Sequence, residues 1–140
     1  MTSSDDPRAW VKEHRDRYIK TNGEDGHDWK DMTTLLLTTT GRQSGESYTT
    51  PLIYGQDGDR YLIVASKGGA PRHPHWYLNL ASDPDVELQV RGDKFVARAR
   101  TATPEEKPAL WKIMTGFWPA YDEYQARTER EIPLIILERA

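Results

Sequence analysis

The run TTLLLTTT (33–40), the glycine-bounded turn GRQSG (41–45) and the run SYTTPLIY (47–54) constrain the fold more than any other feature of the chain. β-Branched residues dominate both runs, and the turn between them is too short for a crossover, so the pair is expected to form an antiparallel hairpin. The turn itself is cationic and hydroxyl-rich, with Arg42, Gln43 and Ser44 between the glycines, in a chain whose net charge is −3.

Further strand signals follow in the same style. GQDGD (55–59) reads as a turn, and RYLIVAS (60–66) is a nearly continuous apolar strand suited to a sheet covered on both faces. VELQV (86–90) and KFVARAR (94–100) flank a second hairpin turn, RGD (91–93). IPLIIL (132–137) is the last strand, and Pro133 suits an edge or a strand start. Helical stretches are expected at His73 to Ala81, Pro104 to Met114 and Pro119 to Thr128, with Thr103 and Glu106 spaced as a capping box. Short antiparallel strands without βαβ alternation predict a mainly β chain with flanking helices (α+β), a small barrel or a curled sheet.

At the N-terminus, Pro7 to Lys20 reads as a helix capped by Asp6, with Trp10, His14 and Tyr18 on one stripe, followed by the linker TNGEDGHD (21–28). The organisation expected is this helix and linker over 1–28 and one β domain over 29–140. Mixed charge favours docking of the helix on the domain or a partner over contact with the inner face of a membrane.

Several functions are excluded by content. With 140 residues the chain buries about two-thirds of its unfolded surface, so it needs no staples. The absence of cysteine removes disulfides, thiolate metal sites and a cysteine nucleophile. No signal peptide or membrane span is legible, and a cytoplasmic location is expected. Mild acidity argues against nucleic acid as a partner. Neither G-x-G-x-x-G nor a P-loop occurs, and His73 and His75, separated by Pro74 with no third histidine nearby, predict no metal site.

What remains is a pair of glycine turns carrying cations: GRQSG, and SKGGAPRHP (66–74) with Lys67, Gly68, Gly69 and Arg72. Glycines let backbone approach a ligand, and successive N–H groups form an anion-binding concavity. Aromatic residues crowd the stretch from Tyr54 to Tyr124, and Trp118, Tyr121 and Tyr124 stand near a helix start where they can close over a flat ring. A flat, anionic small molecule fits this combination.

The motifs GRQSG, ASKGGA (65–70), WYLNL (76–80) and YDEYQART (121–128) together resemble the deazaflavin-dependent nitroreductase family of actinobacteria, among the split β-barrel flavin and deazaflavin oxidoreductases. The resemblance runs from about Met32 to Glu138 and implies a split β-barrel of the FMN-binding type and the cofactor F420, a deazaflavin with an anionic phospholactyl oligoglutamate tail. It further implies that Arg42, Gln43 and Ser44 meet the phosphate region, that Lys67, Gly68 and Gly69 meet the tail or ring edge, and that Thr50, Pro51, Leu52, Ala65 and Ser66 line the ring. Trp76, Tyr77 and Asn79 would hold the tail side. Trp118, Tyr121 and Tyr124 would cover a small-molecule acceptor (a quinone, an enone or a nitroaromatic), with Ser66 and Tyr121 as hydrogen-bond or proton donors. Two positions depart from the family pattern: Gln43 replaces a frequent second base, and Trp118 stands where relatives can carry tyrosine. FMN as cofactor, and a non-catalytic F420 carrier, are the alternatives.

Overall fold

The computed structural model describes residues 15–21, 28–29 and 32–140. Helical residues 15–20 (α1) precede strands β1 (Asp28–Trp29), β2 (Met32–Thr40), β3 (Ser47–Ile53), β4 (Gly55–Asp57) and β5 (Arg60–Val64). Helix α2 (His75–Ser82), strands β6 (Asp85–Val90) and β7 (Asp93–Thr101), helices α3 (Lys107–Phe117) and α4 (Ala120–Ala126), and strand β8 (Leu134–Arg139) complete the chain.

Every strand pair is antiparallel, and the pairing β3-β2-β6-β7-β8-β5-β4 runs from one end of a hairpin to the next. Its two ends are covalent neighbours, because only Tyr54 separates β3 from β4. Those two strands are therefore one bent strand, its first part paired to β2 and its second to β5, and the bend closes the sheet into a barrel. β3 and β4 are each paired along one edge only, so the two ends of the sheet are joined by the bend and not by a ladder between them. The five-residue turn expected at 55–59 is shorter than its composition suggested: Gly55–Asp57 pair with Arg60–Leu62, and Gly58 at φ 62° with Asp59 makes the reversal.

Strand alternation sorts the apolar residues into two cores. Leu35, Leu37, Ile63, Ala65, Val86, Leu88, Ala97, Ile135 and Leu137 fill the barrel. On the outer face of β5 and β8, Leu62, Val64, Leu134 and Ile136 pack against Leu110, Met114 and Tyr121 of α3 and α4. The apolar strand at 60–64 is thus covered on both faces, as its sequence predicts, and each of its fully buried Leu or Ile side chains contributes ~1.5–3 kcal/mol. Pro133 stands just before β8, which is a central strand, and its carbonyl accepts the Ala65 N–H at 2.9 Å.

Helix boundaries shift by a few residues. The capping box forms, with the Thr103 N–H donating to Glu106 Oε1 at 3.0 Å and the Glu106 N–H to Thr103 Oγ1 at 3.3 Å, but 104–106 is a turn and regular helix begins at Lys107. Hydrogen bonds from Arg100 and then from the Thr103 backbone hold the Glu106 carboxyl down at about 2.

Of the N-terminal stripe, Trp10 and His14 lie outside the described residues, as does most of the linker. Tyr18 is fully buried, its hydroxyl 3.0 Å from the Thr34 carbonyl and 3.2 Å from that of Gln89, while accepting the Arg91 N–H at 2.7 Å. One side chain thereby docks α1 across β2 and β6. Among the described residues, no helix is long and apolar enough to cross a membrane.

Candidate functional site

Two adjoining cavities run along consecutive residues of β3 and share Trp76. The first, about 330 Å³, is walled by Pro51, Leu52 and Ile53 on one side and by Trp118, Tyr121 and Tyr124 on the other, with Ser66, Lys67 and Gly68 at its edge. The second, about 490 Å³, lies over the first hairpin turn and takes in Arg42, Gln43, Ser44, Thr50 and Asn79. Both volumes suit a small-molecule site, and the first is the more apolar in its lining.

The aromatic wall is built by α4 together with Trp118, which ends α3. Tyr121 and Tyr124 meet edge to face, with centroids 6.2 Å apart, and the Trp118 indole donates to the Tyr124 hydroxyl at 3.2 Å. An indole N–H can only donate, so Tyr124 keeps its own proton for another partner. Tyr121 is 4% exposed, and burial, then the proximity of Tyr124, pushes its hydroxyl above the ordinary phenol value. It stays protonated. Neither the Tyr121 hydroxyl nor that of Ser66 has a protein hydrogen-bond partner among the described residues.

At the cavity edge the chain makes a left-handed turn. Ser66 is right-handed helical, and Lys67, Gly68 and Gly69 follow with φ of 45°, 64° and 83°. This right-to-left succession turns backbone N–H groups toward one point, and those of Lys67 and Gly68 have no protein partner among the described residues. Lys67 is the one charged side chain among the described residues that line this cavity.

The other turn is tied down by Asn79. Its Oδ1 accepts the Arg42 N–H at 3.2 Å and Arg42 Nη1 at 2.9 Å, while its Nδ2 donates to Thr39 Oγ1 at 3.3 Å. A 4%-exposed amide thus fixes the direction of an exposed guanidinium. Ser44 Oγ accepts the Glu46 N–H at 3.2 Å and lies 3.2 Å from the Tyr48 hydroxyl.

Most residues singled out in the sequence come together here, though not all in the expected places. Thr50 belongs to the second cavity rather than to the apolar one, and Trp76 stands between the two. Ala65 is in the barrel core, and Gly69 is packed behind the wall against the Tyr124 backbone. Tyr77 points away from both cavities, its ring against His73 and its hydroxyl 3.2 Å from Thr101 Oγ1. Residues that sequence reading missed are Thr34, Ile53, Val64 and Pro74 in the first cavity and Gly41, Tyr48 and His75 in the second. Register could have supplied Thr34, which pairs with Ile53.

A closed antiparallel barrel with an apolar slot, an aromatic wall and a cationic annex is the architecture of a split-barrel oxidoreductase holding a flat redox cofactor. Residues 10–139 match the model of the family described as F420H(2)-dependent quinone reductase, and the chain belongs to that family. The match takes in residues 10–31, beyond the stretch that carried the resemblance in sequence. The chain is 44% identical over 126 residues to the F420H(2)-dependent quinone reductase Rv1261c of Mycobacterium tuberculosis, covering 87% of this chain and 85% of that one. A solved F420-H2 dependent reductase, FDR-A, superposes with a TM-score of 0.70 at 40% identity, over 75% of this chain and 93% of that one. A structure described as a domain-swapped dimer gives 0.73 at 37% identity, over 94% of this chain and 99% of that one. Membership makes the chain an oxidoreductase with coenzyme F420 as its cofactor.

Proposed function

We propose that the two cavities hold F420, ring in the apolar slot and tail over the first turn, and that the space beneath Trp118, Tyr121 and Tyr124 takes a quinone. The observation that carries this reading is the partition of one groove at Trp76 into an apolar slot and a cationic annex, which matches a cofactor with a flat ring and an anionic tail. The donor set fits as well: free Lys67 and Gly68 N–H groups and the Lys67 amine at the slot edge, Arg42 beyond it.

When bound in its reduced form, F420 supplies a hydride. The protein's work is placement and charge stabilisation. Pro51, Leu52 and Trp76 orient a ring, and the aromatic wall keeps water from the reacting face. As a quinone is reduced, negative charge gathers on a carbonyl oxygen, where Tyr121, Tyr124 or Ser66 donates a hydrogen bond. A phenol held above its ordinary pKa is suited to donating and poorly suited to ionising, so the proton that completes a quinol is passed on from solvent. No membrane span, no nucleic acid and no metal enters the scheme, and the cytoplasm is the setting inferred.

The test is a titration with F420, followed by oxidation of the reduced cofactor against a panel of quinones, enones and nitroaromatics. Tight binding with quinone turnover is the expected result. Binding without turnover of any acceptor would identify a carrier, and FMN retained through purification would replace the cofactor.

A further inference from the structure

Arg130 lies between α4 and β8, lines neither cavity, and makes no ion pair among the described residues. Its guanidinium instead donates to three carbonyls and a ring nitrogen: Nε to Ala70 O at 2.8 Å, Nη2 to Ser66 O at 2.7 Å, and Nη1 to Ala65 O at 3.2 Å and His73 Nδ1 at 3.1 Å. A guanidinium cannot accept, so Nδ1 of His73 must be unprotonated. All four acceptors belong to the segment that carries the left-handed turn.

Arg130 is itself held by α4 and its exit. Its N–H donates to Thr128 Oγ1 at 3.3 Å, its carbonyl accepts Gln125 Nε2 at 2.8 Å, and Gln125 Oε1 accepts the Ile132 N–H at 2.8 Å. The helix that carries Tyr121 and Tyr124 is thus linked through one side chain to the turn that carries Ser66, Lys67 and Gly68. The two also touch directly, since a Cβ on Gly69 would come within 2.7 Å of the Tyr124 carbonyl.

We propose that Arg130 is the positioning residue that sets the Ser66–Ala70 turn against the aromatic wall, fixing the width of the slot between cofactor edge and acceptor. The turn needs such a clasp because Lys67, not a glycine, sits in the left-handed region, where a side chain is strained. Carbonyls bound to a fork of fixed geometry cannot rotate to relieve it. The role in cofactor binding rests on the F420 reading; the clasp itself does not.

The test compares Arg130→Lys, Arg130→Ala and Lys67→Ala. Within residues 66–70, amide hydrogen exchange at Gly69 and Ala70, whose N–H groups bond back to Ser66 O and Lys67 O, should quicken at least ~10-fold in both Arg130 variants, since strong charge-assisted bonds holding the turn are lost. F420 should bind ~10-fold or more weakly, by the same factor at low and high salt, because the charge of Arg130 is spent on carbonyls; the Lys67→Ala loss should shrink as salt rises. Methylguanidinium should restore both exchange and affinity in Arg130→Ala and neither in Arg130→Lys, a rescue that loss of generic packing would not allow. Native exchange over 66–70 in Arg130→Lys, or an affinity loss as salt-sensitive as that of Lys67→Ala, would overturn the proposal. Should the wild type fail to bind F420 while exchange responds as stated, the cofactor reading falls and the clasp stands.

Discussion

The two glycine turns of this molecule have similar compositions and opposite constructions. GRQSG closes on itself, with the Gly41 N–H donating to Glu46 O at 2.7 Å and the Gly45 N–H to Gly41 O at 2.9 Å, and its recorded tie to another element is Asn79. Arg42, Gln43 and Ser44 are exposed. SKGGA has its first and last carbonyls, those of Ser66 and Ala70, taken by Arg130, Gly69 buried against α4, and three successive left-handed residues. Hydride transfer tolerates little displacement between donor and acceptor, whereas a flexible polyanion needs charge and N–H groups within reach rather than a fixed pose. With F420 placed as proposed, the rigid turn borders the ring slot and the loosely tied one borders the tail annex, which is the division those demands predict.

Placing a methyl group in each turn breaks the comparison most directly. Gly69→Ala forces a side chain into the left-handed region and onto the Tyr124 backbone, and should cost ~2–5 kcal/mol, the sum of ~1–2 for the backbone and ~1–3 for overpacking. Gly45 also has positive φ, 75°, but nothing lies within 4 Å of its Cβ, so Gly45→Ala should cost only ~1–2 kcal/mol. Urea unfolding measures both, and equal losses would erase the distinction between the turns. Next in size is Asn79→Ala, which strands the Arg42 N–H and the Thr39 hydroxyl for ~1–3 kcal/mol. Because it releases the first turn alone, it should weaken F420 binding while leaving hydrogen exchange over 66–70 unchanged.

A smaller effect separates the turns by pH. Burial, then the Arg130 charge, lowers the His73 pKa from its ordinary 6.5, and the Tyr77 ring covers the imidazole at 4.8 Å. Because the folded chain holds His73 neutral, the unfolded chain binds the proton first. The contribution is complete above the ordinary value and is lost as pH falls from there through the lowered one. Melting temperature should therefore drop on acidification in the wild type and less in His73→Gln. Amide protection over 66–70, taken relative to the intrinsic exchange rate at each pH, should fall over the same range, with that of the GRQSG turn unaffected; protection at 66–70 indifferent to pH would remove His73 from the clasp.

The hairpins and both glycine turns were legible because β-branched runs and glycine act locally, and so was the aromatic wall, whose residues fall within one short stretch, 118–124. β4 was hidden under a turn composition, since pairing with β5 required a reversal at Gly58 that residue types alone do not fix. Trp76 and Tyr77 show the limit for helices: adjacent aromatics on α2 point to different sides, and which side faces the groove is decided by packing on the sheet. Tyr18 was legible on the helix stripe, but the partners of its hydroxyl, like the role of Arg130, were not. Each sits in a charged, polar neighbourhood of sequence, EHRDRYIK or ARTEREIP, and acquires its role only through partners far along the chain.

The smallest expected effect is the most informative about the loosely tied turn. Gln43 is exposed and lines the annex, where the family often has a second base. A lysine there would add one exposed charge opposite an anionic tail, worth ~0.2–1 kcal/mol, or up to about fivefold in F420 affinity at low salt, and the gain should vanish as salt rises. The substitution disturbs no hydrogen bond recorded for the Gln43 side chain, so stability should hold. Affinity that does not change at low salt would mean that the tail leaves the groove without passing the turn, and that the cations of the two turns do not act on one ligand. An increase that persists at high salt would mean that the added amine is ordered and desolvated, which would make the first turn as rigid in the complex as the second is without it.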